Sequence, residues 1–160
     1  MSLQYKRSST SVPLAIVAFS DSDYASRSDT RRCVSGYTFI LNGCAISFLS
    51  KKQQSIASST TEAEYMALAT TSRQGVSYLN AFTQLRYAIP ITIMADNTSS
   101  IKVAQNPINN PQMKHIEIAY HFKREHLICK ACTLSYVPSI DKTADLMTKG
   151  LNSVPHHEHS

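Results

Sequence analysis

Four carboxylates stand at positions from which a folded chain could bring them together. The sequence has only eleven Asp and Glu among 160 residues, and each of these four belongs to a different predicted element: Asp21, Glu64, Asp96 and Asp145. Converging carboxylates repel one another unless divalent cations hold them, and hard oxygen ligands favour Mg²⁺ or Mn²⁺. Two such ions about 4 Å apart are the usual device for phosphodiester hydrolysis. The acids therefore suggest metal-dependent phosphodiester chemistry.

A structural role is open for each acid as well. Asp21 and Asp23 suit a turn at the end of a strand, and Asp96 suits the cap of a helix. Glu62 and Glu64 suit the first turn of a helix, where the dipole favours negative charge. Spacing alone leaves the metal site and these structural roles as alternatives.

The first half of the chain predicts three strands and a long helix. Residues 14–19 form a continuous apolar run, typical of a buried strand that stops at the acidic segment containing Asp21. Residues 34–41 and 44–49 are joined by Asn42-Gly43, a strong hairpin signal. The spacing from Ser59 to Glu62 is that of a capping box, which predicts a helix from Thr60 toward Leu85.

The second half predicts alternating strands and helices. Residues 91–95 form a fourth strand that ends on Asp96, after which Asn97 or Thr98 caps a short helix. The remaining predicted elements are that helix at 99–105, a helix at 114–128, a strand at 133–137 and a helix at 143–148. This order predicts an α/β fold with a mixed five-stranded sheet, its first three strands antiparallel, and helices on both faces.

Length and composition predict one globular domain. The chain lacks a Pro/Gly/Ser-rich linker, so we expect a single unit at 14–151, a partly disordered lead-in at 1–13 and a disordered tail at 152–160. The net charge of +5 and pI near 9.1 favour an anionic partner. The longest apolar stretch, residues 12–19, is interrupted by Pro13, which argues against a membrane span or signal peptide and predicts an intracellular protein.

The four cysteines predict reduced thiols. Cys129 and Cys132 have the spacing of zinc ligands, but Cys33 and Cys44 form no second such pair. We therefore expect no zinc.

The acids lie within a series of motifs that resembles the ribonuclease H domain of copia-type (Pseudoviridae) retrotransposon Pol polyproteins. The motifs occur in family order over residues 14–151: FSDSDYA at 19–25, RRCVSGY at 31–37, ISFLSKKQ at 46–53, SSTTEAEYMAL at 58–68, ADN at 95–97, KHIEIAYHF at 114–122, YVP at 136–138 and TADLMTK at 143–149. The resemblance implies an RNase H-like fold. It also implies an endoribonuclease that uses two Mg²⁺ or Mn²⁺ ions to hydrolyse the RNA strand of RNA–DNA hybrids during reverse transcription.

The resemblance also assigns the metal-binding and catalytic residues. In register with the family they are Asp21, Glu64, Asp96 and Asp145, with Asp23 and Glu62 as near-misses. Residues with basic, amide or hydroxyl side chains beside these acids are expected to bind the hybrid: Lys51, Lys52, Gln53, Ser59, Thr60, Asn97, Thr98, Ser99, Lys114 and His115.

Partners and alternatives follow from the same resemblance. Residues 2–5 resemble the end of a preceding polyprotein segment, so the reverse transcriptase portion is an expected partner, in a cytoplasmic virus-like particle if the element is active. An inactive nucleic-acid-binding relic and a DNA-cutting nuclease of the same fold are the alternatives. The chain departs from the family in having no Trp and in carrying Gly75 within the long helix. Tyr136 is expected to be buried in its strand or, alternatively, to stand near the site.

Overall fold

Five strands and two helices make up the part of the chain described by the structure, a computed structural model covering residues 13–24, 32–105 and 132–138. The elements are β1 (Ile16–Asp23), β2 (Val34–Leu41), β3 (Cys44–Lys52), α1 (Thr60–Gln84), β4 (Ile91–Ala95), α2 (Thr98–Gln105) and β5 (Cys132–Tyr136). Within these ranges the helices and strands follow the predicted order. The predicted helices at 114–128 and 143–148 lie outside the described residues.

The strands form one mixed sheet in the order β3-β2-β1-β4-β5. The first three strands pair antiparallel, and β1, β4 and β5 pair parallel. The mixed five-stranded sheet predicted from the sequence is therefore confirmed. Because β1 lies at the centre, it has a neighbour on each side to fix its position.

Strand β1 is longer than the apolar run that predicts it. The prediction that the strand stops before the acids is wrong, since β1 continues to Asp23. Backbone pairing explains the extension, because Asp21 lies opposite Gly36, and Asp23 opposite Val34, on β2. Pairing with β2 likewise extends β3 from the predicted end at Leu49 to Lys52.

Helix α1 begins where the capping signal predicts. The Ser59 hydroxyl accepts a hydrogen bond from the Glu62 backbone N–H at 3.1 Å. The inward face of the helix packs on the sheet in a core with α2, and the largest buried side chains there include Phe39, Ile91 and Ile93. Both described helices contribute to this one core, so they cover the same face of the sheet.

Gly75 lies on the side of α1 that packs against the sheet. A Cβ at this position would stand 3.3 Å from Cys132 Sγ and 3.8 Å from both Ile91 and Phe39. The missing side chain therefore permits close helix–sheet packing, which offsets the low helix propensity of glycine.

Neither described helix is long and apolar enough to cross a membrane.

Candidate active site

Three carboxylates from three elements converge at one end of the sheet. One carboxylate oxygen from each of Asp21, Glu64 and Asp96 lies within 4.8 Å of the other two. Asp21 comes from β1, Glu64 from α1, and Asp96 directly follows β4. Their near-misses Asp23 and Glu62 are not members of this group.

The parallel pairing of β1 and β4 places the two aspartates together. The last paired residues of these strands are Phe19 and Met94. Asp21 and Asp96 each lie two residues beyond that pair, so the shared register carries both to the same edge of the sheet. Asp21 is only 1% exposed, which makes it the buried base of the cluster.

Helix geometry separates Glu64 from Glu62. Residues two apart on a helix point about 200° apart around its axis, so only one of the two can face β1. Glu64 does so, because the Ser22 backbone N–H donates to its Oε1 at 3.3 Å. Glu62 instead completes the helix cap, where its Oε2 accepts from the Ser58 backbone N–H at 2.7 Å and from the Ser58 hydroxyl.

Asp96 is held beside the start of α2. Asn97 Oδ1 accepts from the Ser100 backbone N–H at 2.9 Å, and the Asn97 carbonyl accepts from the Ile101 N–H at 3.1 Å. Asn97 is therefore the N-cap of α2, which was one of the two predicted caps, Asn97 and Thr98. Both of its oxygens accept hydrogen bonds from backbone N–H groups of the helix. This cap fixes the turn that directly follows Asp96 and so helps to position its carboxylate in the cluster.

The three carboxylates fit a hard divalent cation. In an octahedral shell with ligands at about 2.1 Å, neighbouring oxygens stand about 3 Å apart and opposite ones about 4.2 Å apart. The oxygens of Asp21, Glu64 and Asp96 lie within a comparable span of 4.8 Å. Oxygen-only donors favour Mg²⁺ or Mn²⁺ over softer metals.

The other predicted site residues are placed in different surroundings. Lys51, Lys52, Ser59 and Thr60 are exposed, as are Thr98 and Ser99, whereas Gln53 is buried. Asp145, Lys114 and His115 lie outside the described residues.

Tyr136 corrects one expectation. The prediction that Tyr136 is buried in its strand is wrong, because its side chain is 56% exposed at the last position of β5. The strand register pairs it with Ala95, the residue before Asp96. Tyr136 therefore ends its strand level with the acid-bearing edge of the sheet.

Sequence reasoning missed two contributors at this end of the molecule. The Ser22 backbone N–H orients Glu64, and a backbone contact of this kind cannot be recognised from a side-chain motif. Arg73, nine residues after Glu64 on α1, lines a groove between α1 and the end of β3 together with Met66 and Thr70. The spacing 66, 70, 73 is that of one helix face, which is the signal that could have indicated Arg73.

Three relatives of this chain by sequence are retrotransposon Pol polyproteins. No protein-family model matches the chain. The retrovirus-related Pol polyprotein from transposon RE1 of Arabidopsis thaliana is 36% identical over 141 residues, which is 87% of this chain and 10% of the relative. The corresponding polyprotein from transposon TNT 1-94 of Nicotiana tabacum is 32% identical over 133 residues, 82% of this chain and 10% of the relative. The chain thus spans about a tenth of the length of these relatives.

Solved structures with the same fold are ribonucleases H. RNase H1 from Halobacterium salinarum superposes with a TM-score of 0.60 at 16% identity, covering 84% of this chain and 94% of the other. LC11-RNase H1, solved in complex with an RNA/DNA hybrid, gives 0.59 at 17% identity, covering 83% and 93%. The chain is therefore a relative of copia-type, retrovirus-related Pol polyproteins and has the ribonuclease H fold.

Proposed function

We propose that this domain is an endoribonuclease that hydrolyses the RNA strand of RNA–DNA hybrids with the help of two Mg²⁺ or Mn²⁺ ions. The observation that carries the proposal is the convergence of Asp21, Glu64 and Asp96 within 4.8 Å. Relatedness to Pol polyproteins and the ribonuclease H fold support this reading of the cluster.

The three acids have distinct parts in holding the metal ions. Asp21 is buried at the base between β2 and β4, where it would be shared most readily. Glu64 is oriented by the Ser22 backbone N–H, and Asp96, half-buried like Glu64, lies directly before the N-cap of α2. We expect Asp145 to complete the set. Divalent ions bound here would supply an acidified water and charge neutralisation at the scissile phosphate.

The proposal includes the substrate, an RNA–DNA hybrid, and the polyprotein in which the domain acts. The net charge of +5 suits a polyanion, and we expect the exposed side chains of Lys51, Lys52, Thr60, Thr98 and Ser99 to contact it. The RNA/DNA hybrid bound to LC11-RNase H1 supports the choice of substrate. We expect the reverse transcriptase portion of the polyprotein to act with this domain, within a cytoplasmic virus-like particle.

Cleavage of a hybrid with end-labelled RNA tests the proposal. We expect cuts in the RNA strand with Mg²⁺ or Mn²⁺, loss of cutting in EDTA, and a loss of at least a hundredfold in Asp96→Asn. The matched control is Asp23→Asn, which makes the same chemical change on β1 at an acid outside the cluster. It should cut like the wild type.

The same assay separates the alternatives. Cutting of duplex DNA in preference to the hybrid would indicate a DNA nuclease of this fold. Binding of the hybrid without cutting, with both metals and in a longer polyprotein fragment, would indicate a binding relic. Equal losses in Asp96→Asn and Asp23→Asn would contradict the assignment of the metal site to the three converging acids.

A further inference from the structure

Gln53, the residue directly after β3, is buried between β2 and the first turns of α1. It is only 6% exposed, although the preceding Lys51 and Lys52 are exposed. Its Nε2 donates to Ser35 Oγ on β2 and to the Ala63 carbonyl on α1, each at 2.9 Å. A side-chain amide nitrogen carries two hydrogens, so both are used within the protein. Gln53 therefore joins the end of β3 to β2 and to α1.

The orientation of this amide leaves no donor for a nucleic-acid phosphate. The Ala63 carbonyl can only accept a hydrogen bond, so the amide must turn its nitrogen toward it. The other polar atom, Gln53 Oε1, is buried and has no hydrogen-bond partner in the described part of the chain. This oxygen is an acceptor, as the phosphate oxygens are, so the two cannot bond to each other. The Gln53 side chain thus acts on the protein itself and not on the hybrid.

One of the two hydrogen bonds holds the peptide group that carries Glu64. The Ala63 carbonyl and the Glu64 N–H and Cα belong to one planar peptide unit. A donor on this carbonyl therefore fixes the position of that unit relative to the sheet, and with it the point from which the Glu64 side chain leaves the helix. Packing reinforces the bond, because Ala63 is buried in a small core cluster with Cys33, Ala57 and Met66.

The second hydrogen bond leads to the other end of the Glu64 side chain. Ser35 lies opposite Ser22 in the antiparallel register of β1 and β2. The Ser22 backbone N–H donates to Glu64 Oε1 at 3.3 Å. Gln53 is thus bonded to the peptide from which Glu64 starts and to the strand partner of the residue that holds its carboxylate. Together these contacts close a ring, which fixes the distance from α1 to β1 as the helix cap alone cannot.

We propose that Gln53 is a positioning residue for the metal ligand Glu64. It holds the first turns of α1 at the distance from the sheet at which a Glu64 oxygen lies within 4.8 Å of those of Asp21 and Asp96. The inference deepens the proposed function and rests on it for the identity of the bound cation. It gives Gln53 a different role from the hybrid contact expected from its place in the sequence.

The affinity of the full chain for Mn²⁺ tests the proposal without any substrate. Electron paramagnetic resonance of the free ion measures this affinity. Gln53→Met keeps the length of the side chain and removes the amide, and Ser35→Ala removes one of its two acceptors. The matched control is Ile91→Val, which trims a buried side chain at the opposite end of the sheet, where β4 pairs with Ile16. Thermal unfolding records the stability that each variant loses.

We expect Gln53→Met to bind Mn²⁺ about tenfold more weakly than the wild type. This is the lower end of the range of about 10–100-fold for removing a group that orients a metal ligand. Ser35→Ala should lose less affinity, because the bond to the Ala63 carbonyl remains. The double variant should match Gln53→Met, since both changes act through one side chain. Ile91→Val should lower the Tm and leave the Mn²⁺ affinity unchanged.

Three results would overturn the proposal. The first is a Gln53→Met variant that binds Mn²⁺ as tightly as the wild type. The second is a loss of Mn²⁺ affinity in Ile91→Val as large as that in Gln53→Met, because the loss would then follow stability and not position. The third is a double variant whose loss is the sum of the losses from Gln53→Met and Ser35→Ala, because the two residues would then act independently.

Hybrid binding distinguishes the positioning role from a substrate contact. In EDTA, which keeps the RNA intact and leaves the metal site empty, Gln53→Met should bind a labelled hybrid as the wild type does, measured by fluorescence anisotropy. In Mn²⁺ its kcat should fall while its KM for the hybrid stays unchanged. Weaker hybrid binding with unchanged Mn²⁺ affinity would overturn the proposal and make Gln53 a hybrid-binding residue.

Cleavage by the wild type separates this inference from the proposed function. Mn²⁺ binding that depends on Gln53, in a chain that does not cut the hybrid, would support the positioning role and count against the nuclease. Cleavage of the hybrid, with a Mn²⁺ affinity that does not depend on Gln53, would support the nuclease and overturn the positioning role.

Discussion

Replacing Asp96 with Asn should stabilise the metal-free protein. The change removes one of three mutually repelling charges while keeping the shape of the side chain. Two unit charges at 4.8 Å, the span of the carboxylate oxygens, repel by about 3.5 kcal/mol at an effective dielectric constant of about 20. Asp96 faces both Asp21 and Glu64, so at this separation and dielectric constant the repulsion that it relieves is about 7 kcal/mol.

The measured gain should be well below that figure. Glu64 and Asp96 are half-buried, so water screens their charges. Asparagine also weakens any hydrogen bond that the Asp96 carboxylate accepts. We expect about 1–3 kcal/mol of stabilisation, which corresponds to a rise in Tm of about 2–12 °C for a domain of this size.

Thermal unfolding in EDTA and in Mg²⁺ measures this effect. In EDTA, Asp96→Asn should unfold at a higher temperature than the wild type. Mg²⁺ should raise the Tm of the wild type more than that of the variant, because the variant has lost a ligand. Asp23→Asn serves as the control and should respond to Mg²⁺ as the wild type does.

A lower Tm for Asp96→Asn in EDTA would refute this reasoning. It would show that Asp96 stabilises the start of α2 as a structural residue and that carboxylate repulsion is minor. A wild type whose Tm does not respond to Mg²⁺ or Mn²⁺ would contradict the metal site itself.

Four further predictions concern the metal, the helix and a thiol. Ca²⁺ should support little or no hybrid cleavage, because its larger and looser shell misplaces the reacting groups; full activity in Ca²⁺ would contradict the metal assignment. Glu62→Gln should lower the free energy of unfolding by about 1 kcal/mol through the weakened cap, measured in urea, and an unchanged value would show that the cap contributes nothing. Gly75→Ala should be more favourable in a Cys132→Ala background than in the wild type, because Cys132 Sγ stands 3.3 Å from the added Cβ; additive free energies in this double-mutant cycle would exclude the contact. Burial raises the pKa of Cys132 to about 11 from 9.0, so its thiolate at pH 8 is about a hundredfold scarcer than that of an unperturbed thiol. Mass spectrometry should therefore find it alkylated far more slowly than Cys44, and equal rates would contradict the shift.

The sequence by itself determined the elements whose signals are local. Strand β2, from Val34 to Leu41, has the bounds predicted by its residues and the Asn42-Gly43 turn, and β4 is likewise as predicted. The start of α1 follows from Ser59, whose hydroxyl satisfies a free backbone N–H at the helix end. Turns and caps depend on neighbouring residues, so they can be recognised without the rest of the fold.

Only the tertiary structure decided which carboxylates meet. Asp21 and Asp23 are indistinguishable as local acids, and β1 continues through both because β2 supplies backbone partners from a distant part of the sequence. The parallel register with β4 then brings Asp21, and not Asp23, to Asp96. The groove around Arg73 depends in the same way on how α1 lies across β2 and β3. Pairing and packing between elements far apart in sequence are set by the whole core, which is why local patterns indicated the acids but could not position them.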